Sequence, residues 1–111
     1  MAESEEMLHL CQRVRDYLAQ ENYKKCVQEI CYAMYLHPSA PEPHNLMGIL
    51  LERQRNHAQA MKHFRAAQDL DPTYRPAMEN MMDYARFDRP RPRNRFTCAD
   101  CDEQDESTGK P

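Results

Sequence analysis

Cys98-Ala-Asp-Cys101 is the one stretch of this sequence whose residue types and spacing name a chemistry directly. Two thiols separated by two residues are half of a four-ligand zinc site, or a redox pair. The other half of a zinc site is missing. No second pair follows, and no histidine lies beyond His63. No strand-then-helix pattern surrounds the pair, so a thioredoxin-like context is absent. The alternative reading is two thiols in a polar tail, with no metal and no cofactor. The five histidines, His9, His37, His44, His57 and His63, are scattered. His57 and His63 are six apart, a spacing that does not align them on a helix face as i, i+4 would. No Ser, Cys or His is placed where a neighbour could activate it, so catalysis is not expected. His44 and His57 are expected to serve packing. Residues 89–95 (RPRPRNR) carry four arginines, which could hold an acidic partner or a nucleic acid. Residues 100–106 (DCDEQDE) carry five carboxylates, which compete for those arginines and disfavour nucleic acid.

The elements that must position these groups are helical. The chain has 111 residues, two glycines, eight methionines and no tryptophan, and its apolar residues favour helix over sheet. One domain is expected at this length. The formal charge of −3 gives no general attraction to nucleic acid or anionic lipid. No apolar run approaches the roughly 20 residues that span a bilayer. The acidic start, Met1-Ala-Glu-Ser-Glu-Glu6, has no apolar core and is not expected to be a secretory signal. Five cysteines are an odd count, and three fall inside helical patterns. Reduced thiols in a cytoplasmic setting are therefore expected, in place of a disulfide framework.

The chain repeats itself. With an offset of 34 residues, Tyr17 falls on Leu51, Asn22 on Asn56, Cys26 on Ala60, Ile30 on Phe64, Ala33 on Ala67, Leu36 on Leu70 and Pro38 on Pro72. Small residues meet small, large apolar residues meet large, and a proline closes each copy. Apolar stripes at helical spacing predict five helices, at about 5–20, 23–36, 41–54, 57–70 and 75–87. Asn22 and Asn56 mark the turns inside each pair. Ser39-Ala-Pro-Glu42 reads as a capping box, with Ser39 as the N-cap. His37-Pro38 and Asp71-Pro72 end the second helix of each pair, because a residue before proline is pushed away from helical angles. From about residue 88 the periodicity is lost, and the segment 88–111 is expected to be disordered.

These residues resemble the tetratricopeptide repeat family, whose pattern runs W-x2-L-G-x2-Y, A-x3-F, P over 34 residues. Met47-Gly48 stands at the L-G pair, Leu51 at the tyrosine, Ala60 and Phe64 at A-x3-F, and Pro72 at the end, with His44 replacing the tryptophan. The first copy departs at Arg13-Val14, so its helix pair is expected to pack less tightly. The resemblance implies an all-α fold, an alpha-alpha superhelix of tetratricopeptide-type helix pairs. Repeats at about 7–40 and 41–74 and a C-terminal capping helix at 75–87 would make one domain over 1–87. It further implies a non-enzymatic adaptor or assembly factor that binds a partner protein or peptide in a concave groove. The family's groove positions fall on Cys11, Arg15, Leu18, Asn45, Ile49, Glu52, Arg53, Glu79 and Asp83, with Arg15 and Arg53 suited to two-pronged contact with carboxylates. Members that clasp a chaperone's C-terminal carboxylate use Lys/Asn/Asn/Lys/Arg. The matching positions here hold Cys11, Arg15, Leu46, Pro76 and Asn80, of which Arg15 alone is cationic, so that function is not expected. A metal- or redox-responsive module using Cys98 and Cys101 is the competing reading. Fewer than three repeats is short for a solenoid, and weak self-association through the last helix is an expectation. No membrane partner is expected.

Overall fold

Each predicted helix is present in the computed structural model, which describes residues 2–85 together with Phe96 and Cys98. Among the described residues the fold is all-helical: α1 (Ala2–Ala19), α2 (Tyr23–Leu36), α3 (Glu42–Arg53), α4 (His57–Leu70) and α5 (Arg75–Tyr84). The 34-residue period is carried by the backbone as well as by the side chains. At the end of α1, Glu21 N–H donates to Leu18 O and Asn22 N–H to Tyr17 O, at 2.9 and 2.8 Å. At the end of α3, Arg55 N–H donates to Glu52 O and Asn56 N–H to Leu51 O, at 3.0 and 2.8 Å. Both turns pass through a left-handed residue, Glu21 at φ 57° and Arg55 at φ 64°. This is the Schellman way of closing a helix, used twice at one offset. The ends of α2 and α4 match too, with His37 N–H on Ala33 O and Asp71 N–H on Ala67 O.

Two starts differ from expectation. α1 begins three residues early, with Glu3 and Glu5 in its first turn, where carboxylates favour the helix dipole. Glu6 of the same stretch pairs with His37 Nε2 at 2.9 Å, which ties the extension to the end of α2. Ser39 is not the N-cap of α3. Ala40 N–H bonds back to His37 O, so Ser39 belongs to a tight turn, and Pro41 takes the cap position without a side-chain bond. Glu42 then opens the helix instead of standing three residues inside it, and the capping box cannot close. Asn22 does cap α2, accepting from Lys25 N–H at 3.3 Å.

α1 packs on α2, α3 on α4, and each pair on the next through α2·α3 and α4·α5; α1 also touches α3, and α3 touches α5. The first helices therefore line one side, as the groove requires. The core runs through Leu10, Val14, Ile30, Leu46, Leu50 and Phe64, each 2% exposed or less. The departure at Arg13-Val14 leaves the first pair closed. Val14 and Ile30, both fully buried, occupy the positions equivalent to Gly48 and Phe64. One pair divides the space into two medium side chains, the other into none and a large one. Arg13 meanwhile reaches Glu29 of α2 at 3.0 Å across the surface.

Candidate partner-binding groove

Cys11, Arg15 and Leu18 lie on α1, Asn45, Ile49, Glu52 and Arg53 on α3, and Glu79 and Asp83 on α5. The structure brings the first of these together around two residues of the C-terminal segment. Cys98 is joined to Cys11 by a disulfide, with Cα atoms 6.3 Å apart and a sequence separation of 87. This corrects the expectation that the thiols are all reduced. Both cysteines are buried, Cys98 completely and Cys11 at 2% exposure. Phe96 lies under the Arg15 guanidinium, whose carbon is 5.4 Å from the ring centre, an arrangement in which the cation meets the negative face of the ring. Arg15, expected to take a carboxylate, thus holds an aromatic ring.

A chain of buried hydrogen bonds ends on the same segment. Asn80 Nδ2 of α5 donates to Asn45 Oδ1 at 2.8 Å. Asn45 Nδ2 donates to the Tyr74 hydroxyl at 3.4 Å. The Tyr74 hydroxyl donates to the backbone carbonyl of Cys98. Asn45 and Asn80 have no exposed surface. Buried amides cost free energy unless they are bonded, and here their donors are aligned toward one backbone carbonyl in the groove. Asn45, one of the expected groove positions, reaches a peptide backbone through Tyr74, which the repeat pattern does not single out.

The other expected positions divide. Leu18 and Ile49 are buried in the core cluster that includes Cys98 and has Phe96 packed against it. Arg53 and Asp83 are half-buried, and Glu79 is 3.8 Å from Arg75 on its own helix. Glu52 does not face the groove as a free acid. Its carboxylate is 2% exposed and hydrogen-bonds His57 Nδ1 at 2.6 Å, which braces the α3–α4 corner. His44 and His63 stack with ring centres 5.4 Å apart and Nδ1 atoms at 3.2 Å, joining α3 to α4. Burial lowers the pKa of both, and for His63 the neighbouring His44 charge adds to it. Both histidines expected to serve packing, His44 and His57, therefore do so. Among the described residues no group of three or more His, Cys, Asp or Glu is placed to hold a metal ion. Cys101, the Arg89–Arg95 run and the acidic run lie outside the described residues.

The helix pair α3–α4 with its closing turn coincides with a family match: the tetratricopeptide repeat model fits residues 41–74. Residues 41–74 are a tetratricopeptide repeat. No curated protein and no solved structure matches the chain. Within the tetratricopeptide repeat the small residues earn their places. Gly48 faces the Phe64 ring so closely that a side-chain carbon there would lie 2.6 Å from Cδ1 and 2.7 Å from Cζ. Phe64 in turn stacks on Tyr84 of α5 with ring centres 6.0 Å apart and planes 8° apart, so it fills the gap between the tetratricopeptide pair and the helix after it. No helix among the described residues is long and apolar enough to cross a membrane.

Proposed function

We propose that the chain is a non-enzymatic protein–protein interaction module, an adaptor or assembly factor that holds an extended peptide in the groove lined by α1, α3 and α5. Residues 7–40 act as a divergent first repeat and α5 as the cap. The observation that carries this reading is the occupant of the groove. Phe96 and Cys98 are polypeptide, and the groove meets them with a cation over an aromatic ring and a hydroxyl on a main-chain carbonyl. Main-chain contacts give peptide affinity and side-chain pockets give choice. A tetratricopeptide repeat at residues 41–74 supports the same use, because stacked helical repeats form extended concave binding surfaces.

The test is a quantitative pull-down with the parent chain and with Arg15→Glu and Arg53→Glu. Loss of a specific protein with either variant supports the groove. An unchanged set of proteins would move the function to the convex face or to the C-terminal segment.

The second reading, a redox-responsive module, is favoured by one observation: Cys98 is bonded to Cys11. In a reducing compartment such a disulfide is transient and serves catalysis or sensing. The two readings therefore meet at one residue.

A further inference from the structure

The groove is occupied, and its occupant is covalently attached. Three attachments converge on two residues: the Phe96 ring on Arg15, the Cys98 carbonyl on Tyr74, and the Cys98 sulfur on Cys11. The disulfide does not tie one helix of the stack to another. It ties α1 to Cys98, which lies against the groove helices. The helices bury a core of their own through Val14, Ile30, Leu50 and Phe64, so breaking the bond releases the segment without opening the stack.

We propose that the groove is a redox-gated peptide site. Phe96 and Cys98 fill it while the Cys11–Cys98 disulfide stands. Reduction admits a partner peptide that carries an aromatic side chain two residues ahead of the carbonyl offered to Tyr74. This rests on the groove reading above and adds to it the partner's chemistry and the condition for binding.

The cysteines are suited to separate roles. Cys26 is buried, and burial pushes its thiol up to about 11 against a smaller opposing effect of Arg53, which keeps it protonated and out of exchange. Cys31 is exposed and lies on α2, which is not one of the groove helices. Opening requires a dithiol reductant. Its thiolate attacks the Cys98 sulfur, and Cys11 leaves as thiolate and takes a proton. The second thiol of the reductant then resolves the mixed disulfide, freeing Cys98. Two electrons pass to the protein, which ends with two thiols, and the reductant ends as a disulfide. Because both sulfurs are buried, attack follows transient lifting of the segment.

The test uses the full chain carrying Cys31→Ser, to exclude disulfides between molecules, either air-oxidised or treated with dithiothreitol. The probe is a fluorescein-labelled peptide of residues 93–99 carrying Cys98→Ser, read by anisotropy. Peptide mapping of the oxidised chain is expected to recover the Cys11–Cys98 link. Reduction is expected to tighten probe binding by about a hundredfold or more, because a covalently held competitor is exchanged for a tethered one. A chain with Phe96→Ala and Cys98→Ser binds the probe with or without reductant, and a probe with Phe96→Ala does not bind. Equal affinity for the oxidised and reduced parent overturns the gate, as does a map that pairs Cys98 with Cys101. Failure of the probe on the Phe96→Ala/Cys98→Ser chain, with its helical circular dichroism intact, overturns the groove reading itself. If that variant loses its helices, the reduced parent decides the same question.

Discussion

Gly48→Ala is the sharpest perturbation of the repeat, because two effects of known sign oppose each other at one site. Alanine in a helix interior gains about 1 kcal/mol over glycine from backbone propensity. Against this, the new carbon would stand 2.6 Å from Phe64 Cδ1 and 2.7 Å from Cζ, where carbon atoms rest at about 3.5–4.0 Å. The ring must therefore move by about 1 Å. It has no exposed surface, and Tyr84, itself 3% exposed, is stacked on it. No flexible chain end can give way, so the strain falls on the α3–α4 crossing. Overpacking of this kind costs about 1–3 kcal/mol, and the rigidity of the site puts it at the upper end. The net expectation is a loss of about 2 kcal/mol, or roughly 10 °C in melting temperature for a domain of this size.

The assay is urea and thermal unfolding of the parent, Gly48→Ala, Phe64→Leu and the double variant, all in one redox state. If the clash is the cause, the smaller side chain at 64 relieves it, and the double variant is more stable than the sum of the single losses by about 1 kcal/mol or more. Equal or higher stability of Gly48→Ala would mean that propensity wins and that α3 and α4 are not in close contact at this crossing. Simple additivity would place the loss somewhere other than the Gly48–Phe64 contact.

Reduction of the parent, or Cys98→Ser, should lower unfolding free energy by up to about 4–5 kcal/mol in the chain-entropy account, given the 87-residue span; identical urea midpoints with and without dithiothreitol would deny the bond. Stability should fall as pH drops through about 6.5, because unfolded histidine takes up a proton there while burial keeps folded His44 and His63 neutral to lower pH. The measurement is the urea midpoint at pH 7.5 and 5.5, and His63→Gln should flatten the difference; a midpoint that rises on acidification would reverse the assignment. Arg55→Gly should stabilise by about 0.5–1 kcal/mol, since φ 64° strains a residue with a Cβ and suits glycine. Loss of stability in that variant would show that the turn does not pass through the left-handed region.

The repeat was legible in the sequence because several independent constraints share its period. Tyr17 and Leu51, Asn22 and Asn56, and Pro38 and Pro72 recur at one offset, and the turn hydrogen bonds recur with them. Gly48 and Phe64 were legible as a small–large pair for the same reason. The start of α3 was misread because Pro41 and Pro43 shift the helix register past Ser39, and a capping box is a pattern of four residues that does not see the turn before it. Glu52 was placed in the groove by position along α3, yet its partner His57 stands across the corner, a contact that helical periodicity does not encode. The content of the groove was not legible at all. Phe96 and Cys98 follow an aperiodic segment, and which of five cysteines pair depends on the path of the chain through space. The signals that could have pointed there were Cys11 at a groove position and Phe96 as the aromatic residue nearest the Cys98 pair.

The shortness of the stack and the filled groove are parts of one physical problem. Two helix pairs and a cap leave one face whose apolar positions, Leu18 and Ile49 among them, are buried in the cluster that includes Cys98. The backbones of α1 and α5 do not come within 8 Å (Cα to Cα) of one another among the described residues, and each approaches α3. Cys98 bridges them, bonded to α1 through Cys11 and, through Tyr74, to the turn that opens α5. In the gate proposed above, a partner peptide that displaces it would supply the same bridge: apolar cover for α1 and α3, a ring for Arg15 and a carbonyl for Tyr74. In that gate, stability and specificity would rest on the same contacts. A peptide that covers the face without reaching Tyr74 leaves the aligned donors of Asn80, Asn45 and Tyr74 without their final acceptor. That desolvation penalty falls on any peptide docked out of register, while the choice among sequences rests on the side chain offered to Arg15.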